Sequence, residues 1–285
     1  MEQKYQKLVQ ILKDCGSVAV AYSGGVDSAL LLHVARNVLG DAACAVTAKA
    51  EAVPDAEIQD AVRYCRDNQI RHKVVEVSQM DIPEFVQNTE DRCYFCKRKL
   101  FGMLAKEAAS MGCSYLVEGT NADDTSDFRP GMRAVRELGV LSPLKEAGLT
   151  KSEIRALSRT FGLKASSRPS SACLATRIPY GDRITREKLA MAGRSEAYLH
   201  ELGFGQVRVR VHSSLARIEV TADQIARFGD PSLREEVCAK LKEYGFTYVS
   251  LDLAGYRTGS MNEVLVESDM KTLMQMDAGR DHGNK

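Results

Sequence analysis

The sequence predicts an α/β protein with a doubly wound parallel sheet and a second, smaller α+β domain. Apolar segments of strand length alternate with segments of helical periodicity over the first half of the chain, which is typical of a parallel sheet with helices on both faces. Beyond residue 184 the pattern changes to a helix followed by two short strands of alternating polarity around a Ser-Ser turn. A composition of 44% hydrophobic and 27% charged residues is ordinary for a globular protein.

The elements and domains follow from this periodicity. In the first domain we predict strands over residues 17–22, 43–50, 72–78 and 114–119, with helices over 1–15, 26–39, 54–68, 93–111 and 151–163. In the second we predict a helix over 186–202, two strands within 206–220, a helix over 230–244 and a strand near 247–253. We expect domains at 1–165 and 184–267, a linker loop carrying Cys173 at 166–183, and a flexible tail at 268–285.

Charge and hydropathy exclude some classes of partner. Among the 285 residues, 39 Lys and Arg balance 38 Asp and Glu, so the basic excess expected of a nucleic-acid-binding protein is missing. No apolar run approaches the ~20 residues of a membrane span. Residues 1–15 predict an amphipathic helix without the apolar core of a signal peptide. We therefore expect a cytoplasmic protein that binds neither nucleic acid nor membrane.

A glycine-rich loop, YSGGVDSALL, lies between the first predicted strand and the next helix. Gly24 and Gly25 permit backbone angles that let consecutive N–H groups turn toward one anion, and the helix adds the partial positive charge of its N-terminus. Ser23 and Ser28 offer hydroxyl donors, while Asp27 suits Mg²⁺ held beside phosphate oxygens. The loop predicts a phosphate site; the alternative is a glycine turn with an aspartate helix cap.

The loop lacks the GxxxxGK[ST] pattern of a Walker A motif and resembles the SGGxDS motif of the PP-loop superfamily, whose members cleave ATP between the α and β phosphates. The resemblance implies that adenine lies near Thr47 and that the polar loop GTNADD covers the phosphates. Two alternatives stay open for GTNADD, a phosphate cover and a polar turn that caps a helix. The ATP- and pyrophosphate-binding residues implied are Ser23, Gly24, Gly25, Val26, Asp27, Ser28, Thr47, Gly119, Thr120 and Asp123.

Three of the eight cysteines stand in polar contexts. Cys93 and Cys96 form a CxxC at the start of a predicted helix, where the thiol pKa is lowered, and Cys173 lies in the linker loop close to Arg177. A CxxC alone is compatible with redox, zinc or iron–sulfur use, so half of a structural zinc site is an alternative. The other five cysteines are expected to fill cores as small hydrophobes.

The ordered set SGGVDS, GTNADD, DRCYFCK and SACLATRIPYGD resembles the LarE family of ATP-dependent sulfur transferases over residues 5–265. The resemblance implies adenylation of the carboxylates of pyridinium-3,5-biscarboxylic acid mononucleotide and their conversion to thiocarboxylates, a step of nickel-pincer nucleotide synthesis. Cys173 matches a cysteine that some members consume as the sulfur source. Other members hold a [4Fe-4S] cluster on three cysteines, and the additional CxxC favours a cluster on Cys93, Cys96 and Cys173, recharged by sulfide or another donor.

The resemblance also implies catalytic roles for Asp27 and the three polar-context cysteines, ATP with Mg²⁺ as cosubstrate, and a homo-oligomer, a hexamer built of trimers. In the second domain, Arg208 and Arg210 alternate on one strand face, where two guanidinium groups suit a phosphate or carboxylates; a solvated face with cross-strand ion pairs is the alternative. The substrate-binding residues expected are Arg177, Arg208, Arg210, Glu196 and Glu219.

Three other functions remain compatible with the sequence. A tRNA thiolation enzyme of the same superfamily would add an RNA-binding domain or a basic surface. An ammonia-dependent amide ligase of the NAD synthetase type would need none of the three polar-context cysteines. A non-catalytic nucleotide-binding module would hold structural zinc and release no pyrophosphate.

Overall fold

The computed structural model describes residues 1–125, 130–167 and 172–257. It contains two compact units. The first comprises Met1–Gln79 and Cys93–Ser171, and the second comprises Met80–Arg92 and the chain from Ala172 onward. The domain boundaries drawn from the sequence stay predictions. Residues 168–171 of the predicted linker, 258–267 of the predicted second domain, and the predicted tail lie outside the described residues.

The first unit is built on a parallel sheet whose described strands follow the order β3-β2-β1-β4. These strands are β1 Val18–Ala21, β2 Ala43–Lys49, β3 Arg71–Glu76 and β4 Tyr115–Val117. The helices of the described chain up to residue 167 are α1 Glu2–Cys15, α2 Val26–Leu39, α3 Asp55–Asp67, α4 Pro83–Val86, α5 Arg92–Ser110, α6 Pro130–Glu137, α7 Pro143–Glu146 and α8 Lys151–Thr160. Of these, α4 lies in the second unit.

Alternate residues of β1 pack into two different cores. Val18 and Val20 join a core that includes Leu30 of α2, whereas Ala19 joins a core that includes Leu104 of α5. Because successive strand side chains point to opposite faces, the sheet is covered on both sides. This arrangement explains why β1 is apolar at nearly every position and confirms the prediction of an α/β fold.

The second unit contains a three-stranded sheet of order β5-β6-β7 within the described chain. Strands β5 and β6 pair antiparallel around the predicted Ser-Ser turn, and β6 pairs parallel with β7. The remaining elements are α9 Arg186–Glu201, β5 Val207–His212, β6 Leu215–Val220, α10 Pro231–Glu243 and β7 Tyr248–Leu251. The smaller sheet expected from the sequence is thereby confirmed.

Several short elements differ from the expectation. Two single-turn helices, Pro83–Val86 and Pro143–Glu146, each begin at a proline, which is favourable in the first helical turn. Leu174–Arg177, within the predicted linker loop, forms a 3₁₀ helix. One turn is too short to show helical periodicity in sequence. No helix in the described part of the chain combines the length and apolar character needed to cross a bilayer.

Candidate functional site

The loop after β1 closes on itself through its two serines. Ser23 Oγ lies 3.2 Å from Ser28 Oγ, and Ser28 Oγ donates to Gly25 O at 3.0 Å. Gly24 has a φ of +77°, a left-handed conformation that favours glycine. The first hydrogen bond of α2 runs from Ala29 N to Gly25 O at 2.9 Å. The preceding amides of α2 thus have no partner within the helix and are oriented to receive an anion.

The N-terminus of α2 also explains the placement of Val26 and Asp27. The Val26 side chain is buried in the core, so only its backbone can contact a phosphate. The Asp27 carboxylate accepts a hydrogen bond from Asn121 Nδ2 at 3.4 Å and forms an ion pair with Lys151 Nζ. Asn121 lies in the loop after β4, and Lys151 begins α8. Three distant segments of the chain therefore meet at Asp27.

The exit from β4 touches the phosphate loop directly. A methyl group on Gly119 would lie 2.9 Å from Ser28 N and 3.2 Å from Asp27 Cβ. Only glycine lets the chain leave β4 this close to the start of α2. Because β1 and β4 are adjacent parallel strands, the loops after both lie at the same edge of the sheet, where α/β proteins bind ligands.

The polar loop after β4 is occupied mainly by contacts within the first unit. Thr120 donates its hydroxyl to Glu118 Oε2 at 2.7 Å, and Asp123 Oδ2 accepts from Lys151 N at 2.8 Å. Thr120 and Asp123 therefore shape the loop and the start of α8 in this structure. Whether either residue contacts ATP stays a prediction.

Thr47 stabilises the chain just before the phosphate loop. Its hydroxyl donates to Tyr22 O at 2.7 Å and also lies 2.8 Å from His72 Nε2. Since the hydroxyl proton is used by Tyr22, His72 Nε2 is the donor of the second bond. Burial lowers the pKa of His72 from its usual value, which favours the neutral ring that this arrangement needs. The adenine contact expected of Thr47 stays a prediction.

Cys93 and Cys96 lie in the first turn of α5 at the (i, i+3) spacing that places side chains on one helix face. Cys96 Sγ accepts a hydrogen bond from Gln79 Nε2 at 3.1 Å. The oxygen of the same amide accepts from Ala52 N at 2.8 Å. A backbone N–H can only donate, so the amide orientation is fixed and the Gln79 NH₂ group faces the sulfur.

Cys173 is exposed and precedes the 3₁₀ helix Leu174–Arg177 in the second unit. Its carbonyl oxygen accepts from Thr176 N at 3.0 Å and from Thr176 Oγ1 at 2.8 Å. The turn is held at its other end by Arg210 Nη1, which donates to Thr176 O at 2.8 Å. The backbone that carries the exposed thiol is therefore well defined.

The predicted arginines and glutamates of the second unit form a buried network. Arg177 donates to both carboxylate oxygens of Glu196, at 2.6 and 2.9 Å. Arg210 donates to both oxygens of Glu219, at 2.9 and 2.7 Å. Arg208 is also buried, and desolvation, followed by repulsion from Arg177, lowers the pKa of its guanidinium. The network holds three cations against two carboxylates, a balance suited to an anionic ligand.

The cluster predicted on Cys93, Cys96 and Cys173 finds limited support. The first two cysteines share one helix turn, and the third belongs to the second unit. Within the described residues, no three or more His, Cys, Asp or Glu side chains are grouped so that they could hold a metal ion. The observed donor set does not fit a cluster with three thiolate ligands, and the three-cysteine site stays a prediction.

Sequence reasoning did not identify Lys151, Asn121 or Gln79. Lys151 lies 124 positions from Asp27 along the chain, within an ordinary helix start, and carries no motif signal of its own. Asn121 stood inside the GTNADD segment, whose acidic residues attracted the prediction instead. Gln79 follows β3 in a segment without a recognisable pattern.

Comparison with known proteins identifies the family, although no protein-family model matches the chain. An uncharacterized protein of Synechocystis sp. is 41% identical over 94% of this chain and 100% of its own length. The pyridinium-3,5-bisthiocarboxylic acid mononucleotide synthase of Lactiplantibacillus plantarum is 36% identical over 94% of this chain and 97% of its own length. One polypeptide of the glutamine-hydrolyzing GMP synthase of Thermoplasma acidophilum is 26% identical over 63% of this chain and 62% of its own length.

The first two similarities extend through both units rather than through the phosphate loop alone, and the third is consistent with membership of the PP-loop superfamily and with an enzyme that uses ATP. The chain belongs to the LarE family, the family of the pyridinium-3,5-bisthiocarboxylic acid mononucleotide synthase of Lactiplantibacillus plantarum.

Proposed function

We propose that this protein is an ATP-dependent sulfur transferase that converts the carboxylates of pyridinium-3,5-biscarboxylic acid mononucleotide to thiocarboxylates in nickel-pincer nucleotide synthesis. The observation that carries the proposal is the 36% identity to the synthase of Lactiplantibacillus plantarum over 94% of the chain. The loop after β1, the aspartate at its helix start and an exposed cysteine support it.

The first step is adenylation. A substrate carboxylate oxygen attacks the α-phosphorus of ATP, the bond from that phosphorus to the bridging oxygen breaks, and pyrophosphate leaves with the electron pair. The amides at the start of α2 and the Ser23 and Ser28 hydroxyls bind the phosphates. Asp27 holds the Mg²⁺ that accompanies ATP. The product is an acyl adenylate, in which AMP replaces a poor leaving group.

The second step delivers sulfur. The Cys173 thiolate attacks the acyl carbon, the bond to AMP breaks, and a thioester forms. Cleavage of the Cys173 Cβ–Sγ bond, with loss of the Cα proton, then leaves the sulfur on the product and dehydroalanine in the chain. Because the described residues do not group three thiolates, no step is assigned to an iron–sulfur cluster. The anionic substrate is bound by Arg208 and its buried neighbours.

The test is turnover of the purified protein with ATP, Mg²⁺ and the pyridinium substrate, followed by mass spectrometry of product and protein. Formation of pyrophosphate and thiocarboxylate supports the proposal, and absence of thiocarboxylate contradicts it. The variant Cys173→Ala is expected to lose the product while Cys238→Ala, a half-buried cysteine of α10, keeps it. A protein lighter by one H₂S at Cys173 identifies that cysteine as the sulfur source.

The predicted cluster has a separate test. Anaerobic reconstitution with iron and sulfide, followed by iron and sulfide analysis, is carried out on the wild type and on Cys93→Ala. Equal cluster content in both proteins would contradict a cluster ligated by Cys93. An unchanged protein mass after product formation would favour delivery of a sulfide that does not come from Cys173.

A further inference from the structure

Asn88 connects two segments of the second unit that are distant in sequence. Its side chain is fully buried. The amide nitrogen donates to the carbonyl oxygens of Ile178 at 3.2 Å, Pro179 at 2.5 Å and Asp182 at 3.0 Å. The amide oxygen accepts from Arg92 Nη1 at 2.5 Å. One side chain thus ties the segment after α4 to the turn that follows the Cys173 segment.

Both ends of this amide have an unambiguous orientation. A guanidinium can only donate, so the Asn88 oxygen must face Arg92. Backbone carbonyls can only accept, so the NH₂ group must face Ile178 and its neighbours. The Asn88 backbone has a φ of +59°, a left-handed conformation that asparagine tolerates better than most residues. The position therefore requires a short side chain with a donor at one end and an acceptor at the other.

Further contacts hold the same two segments together. Gly181 N donates to Asn88 O at 3.1 Å, and Ile184 N donates to Val86 O at 2.9 Å. The guanidinium of Arg92 lies over the Tyr180 ring at 4.2 Å. Cation–π contacts of this kind are stabilising, and more so when desolvated, as here.

The anchored turn continues directly into the turn that carries Cys173. The 3₁₀ helix Leu174–Arg177 lies between Cys173 and Ile178. One anchor on this helix is Arg210, through Thr176 O. Asn88 supplies the next anchor, immediately after the helix. Cys173 is exposed, so the position of its thiol depends mainly on these backbone attachments.

We propose that Asn88 is a positioning residue for Cys173, which keeps the thiol in place for attack on the acyl adenylate. This inference rests on the proposed sulfur transfer. Adenylation depends on the phosphate loop of the first unit, whereas sulfur transfer also needs a correctly placed thiol. Loss of the Asn88 donor is expected to uncouple the two steps, with pyrophosphate still formed and sulfur no longer transferred efficiently.

The test variant is Asn88→Asp. Aspartate has nearly the same shape, tolerates the left-handed backbone and still accepts from Arg92, but it presents an acceptor to three carbonyl oxygens. Pyrophosphate and thiocarboxylate are measured in the same reactions. Because a misplacement of the order of 1 Å costs ~100-fold in rate, a partial displacement is expected to lower thiocarboxylate formed per pyrophosphate by about tenfold. The control is Asn68→Asp, at an exposed amide that donates to Tyr64 O at 2.8 Å.

An unchanged ratio in Asn88→Asp, or a parallel fall of both products, overturns the proposal, since a merely structural role would affect both steps alike. If Asn88→Asp does not fold, Asn88→Gly, which suits the left-handed backbone, is measured by the same ratio. If neither variant folds, Asn88 is a folding residue and the proposal is wrong.

A wild type that makes no thiocarboxylate refutes the proposed function separately. The inference is then decided by the rate of Cys173 alkylation with iodoacetamide. The Asn88→Asp rate is expected to differ from that of the wild type by about threefold or more when the thiol is displaced, and equal rates overturn the inference.

Discussion

Replacing Gly119 by alanine is expected to damage ATP use while leaving the protein folded. The added methyl group would lie 2.9 Å from Ser28 N, whereas ordinary contact begins at 3.4 Å. The atoms it meets are backbone atoms and the Asp27 Cβ, which cannot rotate away. The start of α2 must therefore move by about 0.5 Å relative to β4.

The displacement gives the expected magnitude. Overpacking of a well-packed site costs ~1–3 kcal/mol of stability, which a domain of this size tolerates. The amides that move are the ones proposed to bind phosphate. Since ~1 Å of misplacement costs ~100-fold in rate, half that shift is expected to lower kcat/KM for pyrophosphate formation by about tenfold.

The assay is pyrophosphate release at several ATP concentrations, with thermal unfolding measured alongside. Gly102→Ala is the matched control, because Gly102 lies in α5 and a methyl group there would meet nothing within 4 Å. This control is expected to keep full activity and to gain up to ~1 kcal/mol of stability from better helix propensity. A Gly119→Ala variant with wild-type kcat/KM would refute the assignment of this edge of the sheet to ATP.

Three other substitutions test separate parts of the structure. Lys151→Met removes the cation paired with Asp27, and because a hydrogen bond to a charged group contributes ~1.5–3 kcal/mol, pyrophosphate formation is expected to fall about tenfold or more. Glu219→Gln leaves the buried Arg210 without its carboxylate and is expected to lower the free energy of unfolding by ~3 kcal/mol in urea titrations. Glu153→Gln is expected to destabilise the protein at neutral pH, by an amount that disappears in acid.

The acid dependence at Glu153 has a defined sign. The hydrogen bond from Lys4, followed by that from the Thr150 amide, lowers the pKa of Glu153 from 4.5 to about 2. A depressed pKa stabilises the fold above the unfolded value and ceases to do so as the pH falls through the folded value. The gap in melting temperature between wild type and Glu153→Gln should therefore narrow between pH 4.5 and 2. A gap independent of pH would contradict this reasoning.

Controls keep the other two predictions specific. Lys106→Met changes an exposed lysine of α5 and is expected to leave pyrophosphate formation unchanged. Equal activity of Lys151→Met and wild type would show that the Asp27 ion pair has no part in ATP use. For the buried network, Glu236→Gln in α10 changes an exposed carboxylate and should alter stability little. Equal losses in Glu219→Gln and Glu236→Gln would contradict the importance of burial.

The long elements could be predicted from the sequence because their periodicity repeats over several turns or residues. The helix predicted over 26–39 has the same bounds in the structure, Val26–Leu39, and the strands of the parallel sheet lie within one to three residues of expectation. Short helices were missed at Pro83–Val86 and Pro143–Glu146, where a single turn leaves no period to detect.

By itself, the sequence determined the α/β class, the phosphate loop and the family, because each depends on local patterns that contiguous residues carry. Only the tertiary structure showed that Lys151 reaches Asp27, that Gln79 donates to Cys96, and that Asn88 anchors the turn after Cys173. Those contacts join residues 17 to 124 positions apart. They arise because parallel strands bring the loops at one sheet edge together and because a buried amide must satisfy every donor and acceptor.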